Sequence, residues 1–192
     1  MVALMFIDGA HIEFMTKRNP HKNRDHAITV NLAEFREWCM QETGLESIET
    51  SYYYNALPFT NKGGYAKMYT KRLAFFQAVK SRGFKLRLGM ARHQKCPSPD
   101  CDYVDFQQKQ VDMQMGLDIA RALWMRDDVT DILMVTGDAD FVPVVQAAVD
   151  SRKNLYLMYG DNTSAYLKDN TRIFRKRFTR EILEQLPGTV TR

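Results

Sequence analysis

The chain is predicted to fold as an α/β domain, a mostly parallel sheet doubly wound with helices on both faces, and three observations predict it. Short apolar segments alternate with amphipathic helical ones, the pattern of βαβ units. Residues 4–7 and 132–135 are continuously apolar, as central parallel strands buried on both sides are. Both segments run into acids and glycine: Asp8-Gly9 after the first, Gly137-Asp138-Ala139-Asp140 after the second.

The elements follow in order. Residues 2–7 form the first strand, residues 10–17 begin a helix, and residues 18–29, with Pro20 and several charges, read as an exposed loop. Asn31 can cap a helix that runs to about Thr43, where Gly44 stops it. Tyrosine-rich residues 48–56 read as the second strand, followed by a loop over 58–64. Residues 65–81 form a helix whose outer face carries Lys67, Lys71, Arg72 and Lys80, ended by Gly83. Residues 84–88 look like a third strand, and residues 90–106 are an insertion holding Cys96 and Cys101. A long helix over 107–126, a strand over 132–135, a helix over 141–151 and a strand over 154–159 come next. A basic helix around 171–186 completes the chain.

At 192 residues, with 45% hydrophobic content, the chain is expected to form one domain over 1–192. The formal charge of +4 permits an anionic partner but is too small to require one. Three cysteines, an odd and small number, fit a reducing compartment better than a disulfide scaffold. Neither a signal peptide nor a membrane span is indicated, and the expectation is a cytoplasmic protein.

Four aspartates are expected to converge. In an open α/β sheet the ligand crevice lies beyond the carboxyl ends of the strands, so Asp8, Asp138 and Asp140 should face one cleft. Asp112 shares a helix face with Met115, Ile119 and Leu123, and that helix should start at the same edge of the sheet. Four like charges in one pocket repel and raise one another's pKa; Mg²⁺ or Mn²⁺, which take oxygen ligands, would relieve the repulsion.

Three blocks carry a family resemblance. Phe6-Ile-Asp8-Gly9-Ala10-His11 resembles Phe-Ile-Asp-Gly-x-Asn, Lys109-Gln-Val111-Asp112 resembles Lys-Gly-Val-Asp, and Thr136-Gly137-Asp138-Ala-Asp140-Phe141 resembles Ser-Gly-Asp-Ser-Asp-Phe. In this order they resemble the NYN domains of the PIN-like nuclease superfamily, in particular the LabA-like branch. A looser match continues through Ser164 and Leu167. The resemblance implies a PIN-like three-layer sandwich and a metal-dependent endoribonuclease, with Asp8, Asp112, Asp138 and Asp140 holding Mg²⁺ or Mn²⁺. Asp8 and Asp138 would be direct ligands; Asp112 and Asp140 would be ligands, ligand orienters or the group that activates water. His11 stands where the family has asparagine, and is a candidate to keep that residue's hydrogen bond, to alter the chemistry or to contact the RNA. The alternative function is a non-catalytic RNA- or protein-binding regulatory module on the same fold. The expected partner is RNA, single-stranded or in structured loops, with no membrane and with homo-oligomerisation left open.

Each of these residues has a plainer reading. Asp138 and Asp140 could cap the helix that follows, although capping accounts for at most one of that pair and for neither Asp8 nor Asp112. Asp118 lies off the Asp112 face and reads as a structural partner, and Asp161 reads as part of an ordinary turn. His93, Cys96 and Cys101 lack a paired second Cys-x2-Cys, so a plain loop is favoured over structural zinc. Cys39 reads as core. Arg175 and Lys176, interleaved with aromatics, suit either an RNA contact or the solvated face of an amphipathic helix. Tyr52, Tyr53 and Tyr54 read as strand residues.

Overall fold

In the computed structural model, residues 2–17, 26–58, 66–95, 104–169 and 172–191 are described. Their elements are β1 (Val2–Asp8), α1 (Gly9–Thr16), β2 (Ile28–Thr29), α2 (Leu32–Thr43), β3 (Thr50–Pro58), α3 (Ala66–Ser81), β4 (Phe84–Lys95) and β5 (Val104–Lys109). There follow α4 (Val111–Met125), β6 (Val129–Val135), a 3₁₀ turn (Ala139–Phe141), α5 (Val142–Asp150), β7 (Asn154–Tyr159), α6 (Ala165–Lys168), β8 (Phe174–Arg177), α7 (Arg180–Gln185) and β9 (Val190–Thr191).

Seven strands form the main sheet in the order β5-β4-β3-β1-β6-β7-β8, all parallel except β5. β1 pairs with β3 on one side and β6 on the other, so the chain winds away from it in both directions. This gap between β1 and β6 is the topological switch point, where open α/β sheets bind ligands.

Alternate residues of each strand feed two cores. Leu4, Phe6, Ile132, Met134 and Leu157 pack with Met115 and Ile119 of α4 and Val145 and Ala148 of α5. Met5, Ile7, Leu133 and Val135 pack on the opposite face with residues of α1, α2, α3 and α7, including Met15, Phe35, Cys39, Phe76 and Leu183. The central strands therefore bury both faces, which is why they carry no alternating polar residues. Asn31 caps α2 by accepting from the Ala33 N–H at 3.3 Å, and Gly44 ends it at φ +72°, as expected.

Three parts of the chain differ from expectation. β4 does not stop at Leu88 but runs to Lys95, and Val104–Lys109 returns antiparallel beside it. The insertion thus begins and ends as paired strand, and residues 107–109, expected in the long helix, belong to β5. Gln110 makes the turn into α4 at φ +72°, where the related motif has glycine. The basic helix expected over 171–186 is instead β8 followed by the short α7. The period is two, not 3.6: Phe174 meets Tyr156, Lys176 reaches Glu42 of α2, and Phe178 meets Phe35. Ile28–Thr29, expected to be loop, pairs with Val190–Thr191 as a small second sheet. Cys96 and Cys101 and the side chain of His93 lie outside the described residues. Among those described, no helix is long and apolar enough to cross a membrane.

Candidate active site

β1 ends in Asp8, and the first residues of α1 follow with no linker. The Asp8 side chain is 6% exposed; its Oδ1 accepts the N–H groups of Ala10 at 2.9 Å and His11 at 3.2 Å, and its Oδ2 accepts the Thr136 hydroxyl at 3.0 Å. Asp8 is therefore the N-cap of α1, a role the sequence had not suggested for it. Burial, with a further push from the charge of Asp112, raises its pKa to about 6, against the pull of those hydrogen bonds. The carboxylate is thus held in place by three donors, none of them a cation.

Beyond β6 the chain turns through Thr136, Gly137 and Asp138. Thr136 Oγ1, which donates to Asp8, accepts the Asp138 N–H at 3.2 Å, and Asp138 Oδ1 accepts the Asp140 N–H at 3.0 Å. One hydroxyl thus links the ends of β1 and β6. Capping does account for Asp138, as the plainer reading held, and also for Asp8. It does not account for Asp112 or Asp140, neither of which caps a helix.

Asp112 stands in the first turn of α4. Lys109 ends β5 opposite Met90, and Met90 pairs with Leu57, three residues beyond the Asp8 partner Tyr54. The antiparallel return of β5 therefore delivers the start of α4 to the edge where Asp8 lies. Burial raises the pKa of Asp112, and the charges of Asp138 and Asp140 raise it further. Repulsion thus links all four aspartates: Asp8 feels Asp112, and Asp112 feels Asp138 and Asp140.

No ion pair involves any of the four among the described residues, where Asp118 and Asp161 do have arginine partners. Asp118 also accepts the Tyr54 hydroxyl at 2.9 Å and is a structural partner, as expected. Among the described residues, no three His, Cys, Asp or Glu side chains come together as a group able to hold a metal ion. Repulsion acts at longer range than coordination. Asp112 is near enough for its charge to act on Asp8 and for those of Asp138 and Asp140 to act on it, without three of these acids being gathered as ligands.

His11 is 7% exposed, and its Nε2 accepts the buried N–H of Gly160 at 3.0 Å. Burial lowers its pKa to about 4, although Asp138 and Asp161 pull the other way. The ring lies edge-on to Phe178, with centroids 5.7 Å apart. Lys176 is paired with Glu42, and Arg177 with Asp161 at 2.8 Å. Both lie on β8, two strands from β6 and four from β3.

A polar cluster on the β3 side of Asp8 was not foreseen. Arg72 holds Glu13 through two 3.0 Å contacts and donates to fully buried Asn55, whose amide in turn donates to Glu13 at 2.8 Å. The sequence pattern puts Arg72 on the basic outer face of its helix. Its partners are 59 and 17 residues away, beyond the reach of a local pattern.

A doubly wound α/β domain with a run of mutually repelling carboxylates at the switch point of its sheet is a class defined by fold and site together. The family model of the NYN domain matches residues 3–177, and the chain belongs to that family, within the PIN-like nuclease superfamily. No curated protein matches the chain.

Proposed function

We propose that this NYN domain is a metal-dependent endoribonuclease of the LabA-like branch, acting in the cytoplasm on single-stranded RNA or structured loops. The observation that carries this reading is the charge of the site. Burial raises the pKa of Asp8 and Asp112, the charge of Asp112 adds to the first and those of Asp138 and Asp140 to the second, and none of the four acids has a cationic partner among the described residues. An all-oxygen, net-negative donor set suits Mg²⁺ or Mn²⁺ and poorly suits a softer ion.

Asp8 and Asp138 would hold the ion directly, since each carboxylate is already oriented by N–H donors on Oδ1. Asp112 and Asp140, free of capping duty, would complete the ligand set or take the proton of the attacking water. When bound, the ion supplies neutralisation of phosphate charge and polarisation of that water. Thr136 keeps the two loops in register by donating to Asp8 and accepting from Asp138. Arg175 and Lys176 would add RNA contacts away from the chemistry.

The second reading, a binding module without turnover, is favoured by one observation: both Asp8 oxygens already accept hydrogen bonds. Cleavage of end-labelled RNA separates the two. Wild-type protein should cut RNA with Mn²⁺ or Mg²⁺ and stop in EDTA, and Asp8→Asn or Asp138→Asn should reduce cutting to background with the circular dichroism spectrum unchanged. RNA bound but never cut with any divalent ion would favour the binding module. Cutting that persists in both variants and in EDTA would end the nuclease reading.

A further inference from the structure

We propose that His11 is a positioning residue, a wedge that fixes the spacing between the Asp8 end of β1 and the Asp138 loop after β6. This rests on the nuclease reading, because the spacing matters through the ion those aspartates would share. The geometry comes from three glycine-lined contacts around one ring.

A Cβ on Gly137 would lie 2.6 Å from His11 Cε1, 2.9 Å from Nδ1 and 2.7 Å from the Thr163 hydroxyl. On Gly160, a Cβ would lie 3.0 Å from His11 Nε2 and 2.8 Å from the Met15 sulfur. A Cβ at Gly137 would thus collide with the imidazole, and one at Gly160 would crowd it. The same ring accepts the Gly160 N–H, so it is anchored as well as packed. Because Nε2 accepts, the neutral ring carries its proton on Nδ1. The two loops are themselves tied where the Ser164 N–H donates to Gly137 O at 3.0 Å.

His11 also belongs to the cap that orients Asp8, since its backbone N–H donates to Asp8 Oδ1. One residue therefore touches the β1 carboxylate through its main chain and both neighbouring loops through its side chain. A space-filler alone would need no acceptor at Nε2, and an acceptor alone would not have to exclude a Cβ from Gly137. Both features together are what holding two loops at a set distance requires. A shorter side chain leaves the Gly160 N–H buried without a partner and opens the gap in front of Gly137.

The test combines Mn²⁺ affinity by titration calorimetry with melting temperature. His11→Gln carries an amide oxygen that reaches the Nε2 position, and it should bind Mn²⁺ within about 3-fold of wild type. His11→Ala should lose about 10–100-fold in Mn²⁺ affinity, the range for groups that orient metal ligands. A purely structural histidine would lower the melting temperature of His11→Ala and leave Mn²⁺ affinity as in wild type, and that result overturns the proposal.

The wedge has its own readout. Gly137→Ala should destabilise the wild-type background and weaken Mn²⁺ binding, and the part of its stability penalty set by the His11 ring should disappear in the His11→Ala background, the part set by the Thr163 hydroxyl remaining. An equal penalty in both backgrounds overturns the wedge. If His11→Ala does not fold, Gly137→Ala and His11→Gln decide: Mn²⁺ affinity unchanged in the first or lost in the second overturns the proposal. Wild-type protein that binds no Mn²⁺ overturns the metal site, and with it the positioning role, while the stability coupling still reports separately on the wedge.

Discussion

Asp8 and His11 are both buried at the end of β1, and burial shifts them in opposite directions. The Asp8 pKa rises from 3.8 to about 6 on folding, so its contribution to stability is full below pH 3.8 and is lost as pH rises to 6. The shift corresponds to a cost on the order of 3 kcal/mol above pH 6 in metal-free buffer. The His11 pKa falls from 6.5 to about 4, so its contribution is full above pH 6.5 and is lost as pH falls to 4. Between pH 4 and 6 the two effects oppose each other. In EDTA at pH 7.5, Asp8→Asn should melt several degrees above wild type, and that advantage should vanish near pH 3.5. Thermal melts across pH check this, and an Asp8→Asn protein less stable than wild type at pH 7.5 would contradict it. At this scale the sequence singles out Asp8 and Asp138 because each follows an apolar strand, but it does not reveal that Asp8 caps α1. The burial of His11 was not legible, since its partner Gly160 is 149 residues away.

Among the elements, the start of α4 is where a local rule is broken. Gln110 at φ +72° has a Cβ in the left-handed region, and no side-chain cap compensates. Gln110→Gly should stabilise the fold by about 0.5–1 kcal/mol, the strain relieved less the entropy glycine loses on folding. A calorimetric melt about 1–4 °C higher is expected, and a lower one would mean the Gln110 side chain supplies a contact worth more than the strain. The sequence placed Asp112 at the correct edge for the wrong reason. It assumed a parallel strand leading into the helix, whereas the antiparallel β5 returns the chain to that edge. β8 was misread because Ile173, Phe174 and Phe178 fit a helical face on paper; pairing with β7 and the reach of Lys176 to Glu42 decide for strand. With Lys176 occupied, Arg175 becomes the main cation of β8 for RNA. Arg175→Ala should weaken RNA binding and reduce its salt slope by about 1, leaving the metal requirement unchanged. An unaltered slope in binding titrations would return β8 to a structural role.

Across the whole molecule, the six parallel strands taken in chain order lie as 3-2-1-4-5-6, which sets Asp8 beside the Asp138 loop, while the antiparallel β5 brings in Asp112. That order places the ends of β1 and β6 side by side, although 127 residues separate Asp8 from Val135 (135 − 8). The sheet and its parallel sense were readable from the alternation of apolar and amphipathic segments. The strand order was not, because periodicity says which segments are strands and nothing about which neighbours they choose. On this topology Asp8, Asp112, Asp138 and Asp140 are proposed to share one divalent cation. A crystal of the wild-type protein soaked in Mn²⁺ tests it most directly, through anomalous scattering at the manganese edge. A manganese peak is expected at the switch point with Asp8 and Asp138 oxygens as ligands, absent from Asp8→Asn crystals soaked alike. Manganese found only elsewhere on the molecule, or an equal peak in the Asp8→Asn crystals, would contradict it.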